Sequence, residues 1–593
     1  MRLQSILKFV NTRVTVFPVR IREACQKMQN AYIRCHDGAE DFQFSFLLRS
    51  ELLGVDRQFN FSRQLSEKVS DFLARISTNV ERSVNKKKKR KKVTGGEERQ
   101  EDANKIEVNL LRGGEQVPGD KLCKDVIFDS GLCLLVQGTE YSVILNAPWV
   151  SLITLPSSIM AGFPVYPLKL EVLFADKSDC TFYWYKNTST NTGKRLPINW
   201  VDVGSGFYYT PSTCEIGCHL KVVCAPQNGS IYGPTSEVMS TNPVEAGPGA
   251  CPFELRHAFT KERLSGKTFR IVSYNILADL YADSDVSRTE LFPYCPPYAL
   301  NIDYRKQLIL KELLGYNADI ICLQEVDSKV FSNDLIPTLS SVGYDGVFGK
   351  KGGAVSEGLA CIFHKSRFKC VSSHTIHLAE ELKSSPLFAD LWSKVKDNEA
   401  LANRILARTT CSQFVVLDSV DNSNKRIIVA NTHQYFRPDA DHIRLLQSGM
   451  TLTYLEHLVA EAAAKNPDQN VSCIFCGDFN STPEWGVYRL ITTQHIPVDC
   501  IDWASNKNEE VKDVSLSHSL LLASAYGTPE FTNFTVGFAG CLDYIFYQHD
   551  QLDVVQVVPL PSTEELQQHV ALPSVVFPSD HVALVTDLSW KQV

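Results

Sequence analysis

Residues Ile474 to Pro483 read IFCGDFNSTP, a short apolar run that ends in a Gly-Asp-x-Asn sequence. The run predicts a buried strand, and Gly477 permits a sharp turn that brings Asp478 and Asn480 to one edge of a sheet. A carboxylate can orient or deprotonate water, whereas a neutral amide can hydrogen-bond a phosphoryl oxygen without repelling it. The pair therefore suits phosphodiester hydrolysis, although an ordinary strand followed by an Asx turn has the same pattern.

Polar residues also lie at the ends of other strands predicted in the C-terminal half, where strands and helices alternate. α/β sheets place their functional sites at such strand ends. Each residue alone has an ordinary explanation as a cap, a turn residue or a satisfied histidine. Together they supply hard oxygen ligands for magnesium, a carboxylate that can orient water, and amides and imidazoles for phosphate oxygens. These residues are Asn275, Glu325, His433, Asp543, Asp580 and His581.

Length and composition indicate a multidomain globular protein. The chain has 593 residues, enough for roughly two to four domains. Its formal net charge is -7, so a surface that binds nucleic acid must concentrate its basic residues locally. The 18 cysteines have no zinc-site spacing and several lie in apolar strands, so we expect reduced core thiols. No apolar run is long enough to span a bilayer, and we expect no membrane insertion.

Five ordered motifs resemble those of the endonuclease/exonuclease/phosphatase superfamily. The first and third also resemble its deadenylase branch, which contains the Ccr4, nocturnin and Angel groups. The chain is most similar to the branch's mitochondrial 2′,5′-phosphodiesterases, which have a transit peptide and an N-terminal non-catalytic region. The absence of leucine-rich repeats before the motifs argues against a Ccr4-type subunit. The motifs lie within residues 267–593 and are Val272-Ser-Tyr-Asn275-Ile-Leu-Ala-Asp279, Leu323-Gln-Glu325-Val, Gly477-Asp-Phe-Asn480-Ser-Thr-Pro483, Leu542-Asp543-Tyr-Ile-Phe and Ser579-Asp-His581.

The resemblance implies the fold of residues 267–593 and a metal site within it. The implied fold class is α/β, a catalytic sandwich of two packed sheets flanked by helices. Glu325, with Asn275 nearby, is expected to hold Mg²⁺. Asp478 is expected to contribute to the metal site, and Asp580 is expected to be a ligand or to support one. Whether one or two ions act at once is left open by the sequence.

The resemblance also implies the residues that carry out the chemistry. Asp478 is expected to position the attacking water, while Asn480 and His433 are expected to contact the scissile phosphate. Asp543 is expected to orient His581, because a carboxylate paired with an imidazole fixes the tautomer and charge of the ring.

Four residues are implied in substrate binding, at positions where related deadenylases grip the terminal adenosine. Pro438 and Phe538 are expected to sandwich a base, and Asn533 to hydrogen-bond an adenine edge. Arg437 lies beside Pro438 in the same segment. For Phe538, packing of a loop residue on its own domain is the alternative.

The first 22 residues contain five arginines or lysines, interspersed with apolar residues, and no acidic residue. This basic amphipathic pattern is typical of a mitochondrial transit peptide. We therefore expect recognition by the mitochondrial import machinery and location in the mitochondrial matrix. A basic disordered tail is the alternative.

The region between the leader and the catalytic motifs predicts two further domains. Cys180 to Lys186, with Trp184, resembles the Trp-bearing strand of an immunoglobulin-like sandwich. The run KKKKRKK at Lys86 to Lys92 is interpreted as part of a disordered loop, with a nuclear signal or phosphate-binding strip as alternatives. The predicted divisions are 1–40, transit peptide and flexible N-terminus; 41–147, a small α+β module with a disordered basic loop at 86–100; 148–243, an immunoglobulin-like β-sandwich; 244–266, a linker; and 267–593, the catalytic domain.

The sequence and the resemblance together predict a magnesium-dependent exoribonuclease that releases 5′-AMP. Its expected substrates are 2′,5′-linked oligoadenylate, which is made in antiviral signalling, and the single-stranded 3′ poly(A) tails of mitochondrial RNA. One alternative is a nucleotide 2′-phosphatase like the nocturnin group. Another is an RNA-binding or tethering module in which catalysis is secondary. The oligomeric state and the preferred linkage are left open by the sequence.

Overall fold

The computed structural model describes residues 29–92, 106–187 and 199–592, with the backbone alone over 86–92. The predicted transit peptide, in residues 1–22, lies outside the described residues. The chain divides into two compact units. One contains residues 1–152 with 171–180 and 224–236, and the other contains 153–170, 181–223 and 237–593.

A seven-stranded sheet and one long helix form the N-terminal unit. The helix is Val69–Lys92, and its buried face packs Phe72 against Phe42 and Phe44 of the sheet. In spatial order the strands are Val55–Gln64, Asp41–Ser50, Asn30–Arg34, Thr139–Leu145, Leu132–Val136, Val108–Arg112 and Glu115–Gln116.

The predicted start of this module at residue 41 is wrong, because Asn30–Arg34 is an inner strand of the sheet. It pairs antiparallel with Asp41–Ser50 and parallel with Thr139–Leu145. Ala31 and Ile33 are buried in the module's core. The strand is only five residues long. Its alternation of apolar and polar residues is therefore too short for the sequence to distinguish it from the preceding leader.

The predicted disordered loop at 86–100 is wrong over residues 86–92, which continue the helix that starts at Val69. Lysine and arginine are good helix formers, and positive charge near the C-terminal end of a helix stabilises it by interacting with the helix dipole. A block of like charge can therefore extend an established helix. Residues 93–105 lie outside the described part of the chain.

Residues 148–243 are rich in strands, as predicted. A four-stranded sheet has the order Trp200–Ser205, Thr181–Asn187, Leu220–Ala225 and Ser236–Met239. Trp184 is fully buried, and its indole N–H donates to the carbonyl of Gly206 at 3.0 Å. The immunoglobulin-like assignment stays a prediction. Two smaller sheets pair Trp149–Thr154 with Lys169–Leu173 and Gln227–Asn228 with Ile231–Tyr232.

Residues 244–266 do not form the open linker predicted from their glycines and prolines. They contain the helix Pro252–Arg256, in which Phe253 is fully buried. The Arg256 guanidinium donates to the Tyr316 hydroxyl and the Ala583 carbonyl, both at 2.7 Å. The segment is therefore packed onto the catalytic domain, because its apolar and cationic side chains find partners there.

Two six-stranded sheets form the core of the catalytic domain. The first has the order Tyr344–Lys350, Glu357–His364, Ile320–Asp327, Thr268–Asn275, Leu584–Trp590 and Leu552–Val557. The second has the order Phe368–His377, Cys411–Ser419, Lys425–His433, Asn470–Asp478, Asp543–Gln548 and Leu522–Ser524.

The two sheets pack face to face, as the resemblance implied. One core cluster joins Ile271, Ile320 and Cys322 of the first sheet to Ile427 and Ile474 of the second. All 17 cysteines in the part of the chain that the structure describes are free, and 11 of them are buried, whereas Cys214 is exposed. Their reduced state stays a prediction.

Helices flank the sheets, and two of them are long. These are Ile302–Gly315 and Asp441–Lys465. Within the described ranges, no helix is long and apolar enough to cross a membrane. The remaining α-helices of the domain are Asp279–Ala282, Pro297–Leu300, Ser328–Val330, Ile336–Ser340, Leu378–Ser384, Ala389–Val395, Glu399–Leu406, Gly486–Thr493 and Thr563–Gln567.

Gly477 provides a test of how closely neighbouring strands approach. Its φ is 144°, and a Cβ atom there would lie 2.0 Å from the Thr432 carbonyl oxygen. We expect Gly477→Ala to lower the free energy of unfolding by about 2–4 kcal/mol, because backbone atoms must move. Urea denaturation measures this. Gly537→Ala is the control, since its Cβ would meet no atom within 4 Å. Equal stability of the two variants would contradict the account.

Candidate active site

The site forms where parallel strand pairs at the centre of each sheet end together. In the second sheet, His433 lies opposite Asp478, which in turn lies opposite Asp543. In the first sheet, Asn275 lies opposite Gln324, next to Glu325. Because the sheets pack face to face, both pairs deliver their side chains to one point.

Asp478 and Asn480 adopt the Asx turn that the sequence offered as an alternative, and they do so at the site. Asp478 Oδ1 accepts the backbone N–H of Asn480 at 2.9 Å. Asn480 has a φ of 48°, and its Nδ2 donates to the Gln434 carbonyl at 3.0 Å. The turn thus fixes one oxygen of Asp478 and leaves Oδ2 to face the centre of the site.

A β-bulge directs Glu325 into the site. The pairing of Ile320–Asp327 with Glu357–His364 shifts between Leu323 and Val326, and Glu325 has a φ of 54°. A bulge re-aims a side chain at the cost of local strain, and such strain is common beside active sites. The Glu325 carboxylate is held by the Ala278 backbone N–H, which donates to Oε2 at 2.9 Å.

The Asn275 amide lies between the two buried carboxylates. Its Nδ2 donates to Glu325 Oε1 and to Asp478 Oδ2, both at 3.0 Å. Its Oδ1 accepts the Leu277 backbone N–H at 3.0 Å. Asn275 therefore joins the two sheets at the site, and its carbonyl oxygen also accepts a backbone N–H.

His433 is buried at the edge of this carboxylate pair. Its Nε2 lies 3.6 Å from Asp478 Oδ2 and 3.9 Å from Glu325 Oε1. Burial, together with the positive charges of Lys351 and His581, holds the pKa of His433 well below its usual value. The ring is therefore neutral at neutral pH.

His581 has the opposite environment. Asp543 Oδ2 accepts from His581 Nδ1 at 2.7 Å, which confirms the expected pairing. Asp543 is itself held by the Thr532 hydroxyl, which donates to Oδ2 at 2.6 Å. Burial opposes a charge on His581, but Asp543, Asp478 and Asp580 outweigh it and raise the pKa of the ring well above 6.5. The ring's Nε2 lies 3.6 Å from Asp478 Oδ2.

Of the four residues predicted to bind substrate, three are exposed and one is buried. Arg437 and Pro438 are exposed in the loop after the Lys425–His433 strand, and Phe538 is 45% exposed. Asn533 is buried, and its Nδ2 donates to Asp580 Oδ2 at 3.3 Å. The Asn533 amide is thus engaged with a site carboxylate. The adenine-binding roles of all four stay predictions.

Sequence reasoning missed two charged residues beside the site. Lys351 Nζ lies 3.3 Å from His433 Nδ1 and 2.6 Å from Glu357 Oε1. Both residues belong to a hairpin whose sequence, GKKGGAVSEG, has the appearance of an exposed turn. No local sequence signal marks them, because the burial of Glu357 and its pairing with Lys351 are set by the fold.

Comparisons with known proteins agree with this geometry. The profile described as "Endonuclease/Exonuclease/phosphatase family" matches residues 272–581. The chain belongs to this family. The profile "2',5'-phosphodiesterase 12-like, N-terminal domain" matches residues 147–245, close to the limits predicted for the β-rich region.

Individual relatives place the chain within the family. It is 42% identical to human 2',5'-phosphodiesterase 12, over 96% of this chain and 95% of that protein. It is 31% identical to the CCR4-Not complex 3'-5'-exoribonuclease subunit Ccr4 of Schizosaccharomyces pombe, over 55% of this chain and 49% of that one. The crystal structure of ANGEL2, a 2',3'-cyclic phosphatase, aligns with a TM-score of 0.45 and 24% identity, covering 55% of this chain and 96% of that chain. The match to the family profile and the 42% identity to 2',5'-phosphodiesterase 12 show that the chain is a hydrolase of the endonuclease/exonuclease/phosphatase family.

The carboxylates of the site fit the metal dependence of this family. Burial is the main cause that raises the pKa of Glu325 to about 7, and Asp580 and Glu357 add to it. Burial also raises the pKa of Asp478 to about 6, with a further contribution from Asp543. The positive charges of His581 and Lys351 offset these shifts only in part, and a divalent cation with oxygen ligands would supply the remaining compensation.

One cluster in the site is better suited to hydrogen bonding than to a metal ion. Ligand atoms of Asp478, Asp543 and His581 all lie within 4.8 Å of one another. A cation bound by all three would compete with the His581–Asp543 hydrogen bond and meet the positive charge of the ring. Within the predicted metal set, Glu325 and Asp478 share the Asn275 amide, and Asp580 interacts electrostatically with Glu325.

The Asp543–His581 pair generates a pH prediction. His581 keeps its proton as the pH rises past 6.5 and loses it only at the raised pKa. Asp543→Asn removes the first of the charges that raise this pKa, so we expect the alkaline limb of kcat/KM to move to lower pH. A pH–rate profile measures the shift. The exposed Asp550→Asn is the control, and an alkaline limb that stays in place in Asp543→Asn would contradict the assignment.

Proposed function

We propose that this protein is a magnesium-dependent exoribonuclease that releases 5′-AMP from 2′,5′-linked oligoadenylates and from 3′ poly(A) tails. The observation that carries the proposal is the placement of Asp478 Oδ2, which lies between the Asn275 amide and two imidazoles. The names of the relatives support the substrate class, since one is a 2',5'-phosphodiesterase and another a 3'-5'-exoribonuclease.

Magnesium is the proposed metal because the ligand atoms available at the site are carboxylate oxygens, which Mg²⁺ prefers. Glu325 would hold the ion with Asp478 and Asp580, while Asn275 keeps Glu325 and Asp478 aligned. Bound there, Mg²⁺ supplies positive charge that offsets the negative charge developing on the phosphate and on the leaving oxygen.

Asp478 is the residue that activates water in this proposal. Its Oδ1 is held by the backbone of Asn480, so Oδ2 has a fixed direction toward the site. A pKa of about 6 leaves the carboxylate able to accept a proton from water. The water oxygen attacks phosphorus, and the bond to the 2′ or 3′ oxygen of the preceding ribose breaks. The products are 5′-AMP and an oligonucleotide shortened by one residue.

His433, His581 and Asn480 stabilise the transition state of this proposed reaction. Both imidazoles have Nε2 directed to the site, and a charged His581 donates a strong hydrogen bond to a phosphate oxygen. Asn480 adds an amide that bears no charge and so does not repel the phosphate. Fixed donors in a buried site are worth more than the same donors in water, because they need no reorganisation.

The proposed cellular context is the mitochondrial matrix, with single-stranded adenylate RNA as the bound partner. The support is the basic amphipathic leader of residues 1–22, which has no acidic residue. Fusion of residues 1–40 to a fluorescent reporter tests it. A diffuse cytosolic signal would contradict import.

The decisive experiment compares the initial rates of AMP release from matched 2′,5′- and 3′,5′-linked trimeric adenylates with Mg²⁺ present. We expect release from both, and a loss of about 10²-fold or more in Asp478→Asn, because a positioned general base contributes 10²–10⁴-fold. Asp499→Asn, an exposed aspartate in the same domain, is the control.

The outcomes separate the proposal from its alternatives. No AMP from either substrate, with 2′-phosphate released from NADPH, would replace it with a nucleotide phosphatase. RNA binding without hydrolysis of any of these substrates would indicate a tethering module.

A further inference from the structure

Lys351 lies just beyond the Tyr344–Lys350 strand, with its side chain only 11% exposed. Its Nζ is 2.6 Å from Glu357 Oε1, and its backbone N–H donates to the Glu357 carbonyl at 3.2 Å. The Glu357 side chain is fully buried and also accepts from the Tyr281 hydroxyl at 3.4 Å. The ammonium group is therefore held in one place by a buried carboxylate.

The same ammonium faces the ring of His433, with 3.3 Å between Lys351 Nζ and His433 Nδ1. A lysine ammonium has three donors and no acceptor. At this distance Nδ1 must accept, so its lone pair points at the lysine and the ring proton lies on Nε2. Nε2 is the atom that faces Asp478 and Glu325.

We propose that Lys351 is a positioning residue that holds His433 in the tautomer with its proton on Nε2, where this N–H donates to a phosphate oxygen of the substrate. This proposal rests on the proposed function and adds Lys351 to the residues on which that site depends. Lys351 acts through the imidazole and does not itself touch the phosphate.

The other imidazole of the site, His581, is held in one tautomer by a different kind of neighbour. A carboxylate, Asp543, fixes His581 by accepting from its Nδ1. At His433 the neighbour of Nδ1 is the Lys351 ammonium, so Nδ1 must present a lone pair instead of an N–H. Without Lys351, the tautomer of His433 would be set only by Asp478 and Glu325, whose oxygens lie 3.6 and 3.9 Å from Nε2, beyond hydrogen-bond distance. Among the described residues, Lys351 therefore makes the one close contact that selects the Nε2–H tautomer in the absence of substrate.

The first test needs neither substrate nor metal. In the full chain with ¹⁵N-labelled histidine, the His433 signals are assigned by their loss in His433→Ala, and the spectra show which ring nitrogen carries the proton. We expect Nε2–H in the wild type and a mixture of tautomers in Lys351→Met. A wild-type proton on Nδ1, or a spectrum unchanged in Lys351→Met, would overturn the proposal. Failure of the proposed function leaves this readout unaffected.

The second test is kinetic and uses AMP release from the adenylate trimers. Loss of a residue that orients a neighbouring functional group costs about 10–100-fold in metal sites, and we expect a similar fall in kcat for Lys351→Met with KM little changed. Lys351→Arg should retain more activity, since arginine also donates to Nδ1. Lys350→Met is the matched control, because Lys350 is the exposed neighbour in sequence.

A double-mutant comparison separates positioning from direct contact. In a His433→Ala background, Lys351→Met should cause no further fall in kcat. An equal fall in both backgrounds would overturn the proposal and make Lys351 a direct phosphate ligand.

The Lys351→Met substitution leaves the buried Glu357 carboxylate without its cationic partner. The double variant Lys351→Met/Glu357→Gln is therefore measured in parallel. That variant removes both charges and must show the same mixed tautomers for the proposal to hold.

Discussion

The Asn275 amide is the contact on which the site depends. Its two N–H bonds go to carboxylates from different sheets, Glu325 and Asp478, at the point where buried charge is most costly. Two carboxylates this close would repel each other, and a neutral donor between them sets their separation. The packed sheets must be rigid for this to work, because a shift of the sandwich would break the bridge.

The backbone of the site is strained to make this convergence. Glu325 and Asn480 both have positive φ, and such residues each cost of order 1–3 kcal/mol. The bulge at Glu325 and the turn at Asn480 aim side chains that regular strands would direct elsewhere. Burial of the surrounding strands offsets this cost. As a result, Glu325 Oε1 and Asp478 Oδ2 point to the same volume.

Much of this could be predicted from the sequence, because strand ends carry local signals. The apolar run before Asp478 and the Gly-Asp-x-Asn turn predicted both the strand and the pair at its end. The sequence could not show that Asn275 bridges carboxylates or that a bulge re-aims Glu325, since both depend on register between distant strands. Lys351 was missed for the same reason: its partner His433 lies 82 positions away.

Errors in the N-terminal region have a different cause. The strand Asn30–Arg34 is too short for its alternation to stand out, and its partner Thr139–Leu145 is distant in the chain. Residues 86–92 were interpreted from their charge, although the helix that precedes them sets their backbone. In both places, context outside a local window decides the structure.

Glu325 and Asp478, held by Asn275, are the residues proposed to bind a divalent cation. The most direct test measures thermal unfolding of the full chain with and without Mg²⁺, in the wild type and in Glu325→Gln. A ligand that binds only the folded state stabilises it by about 2.7 kcal/mol at 100 times its Kd. The account predicts such stabilisation in the wild type and in the exposed control Glu530→Gln, and its loss in Glu325→Gln. Equal stabilisation in all three proteins, or none in the wild type, would contradict it.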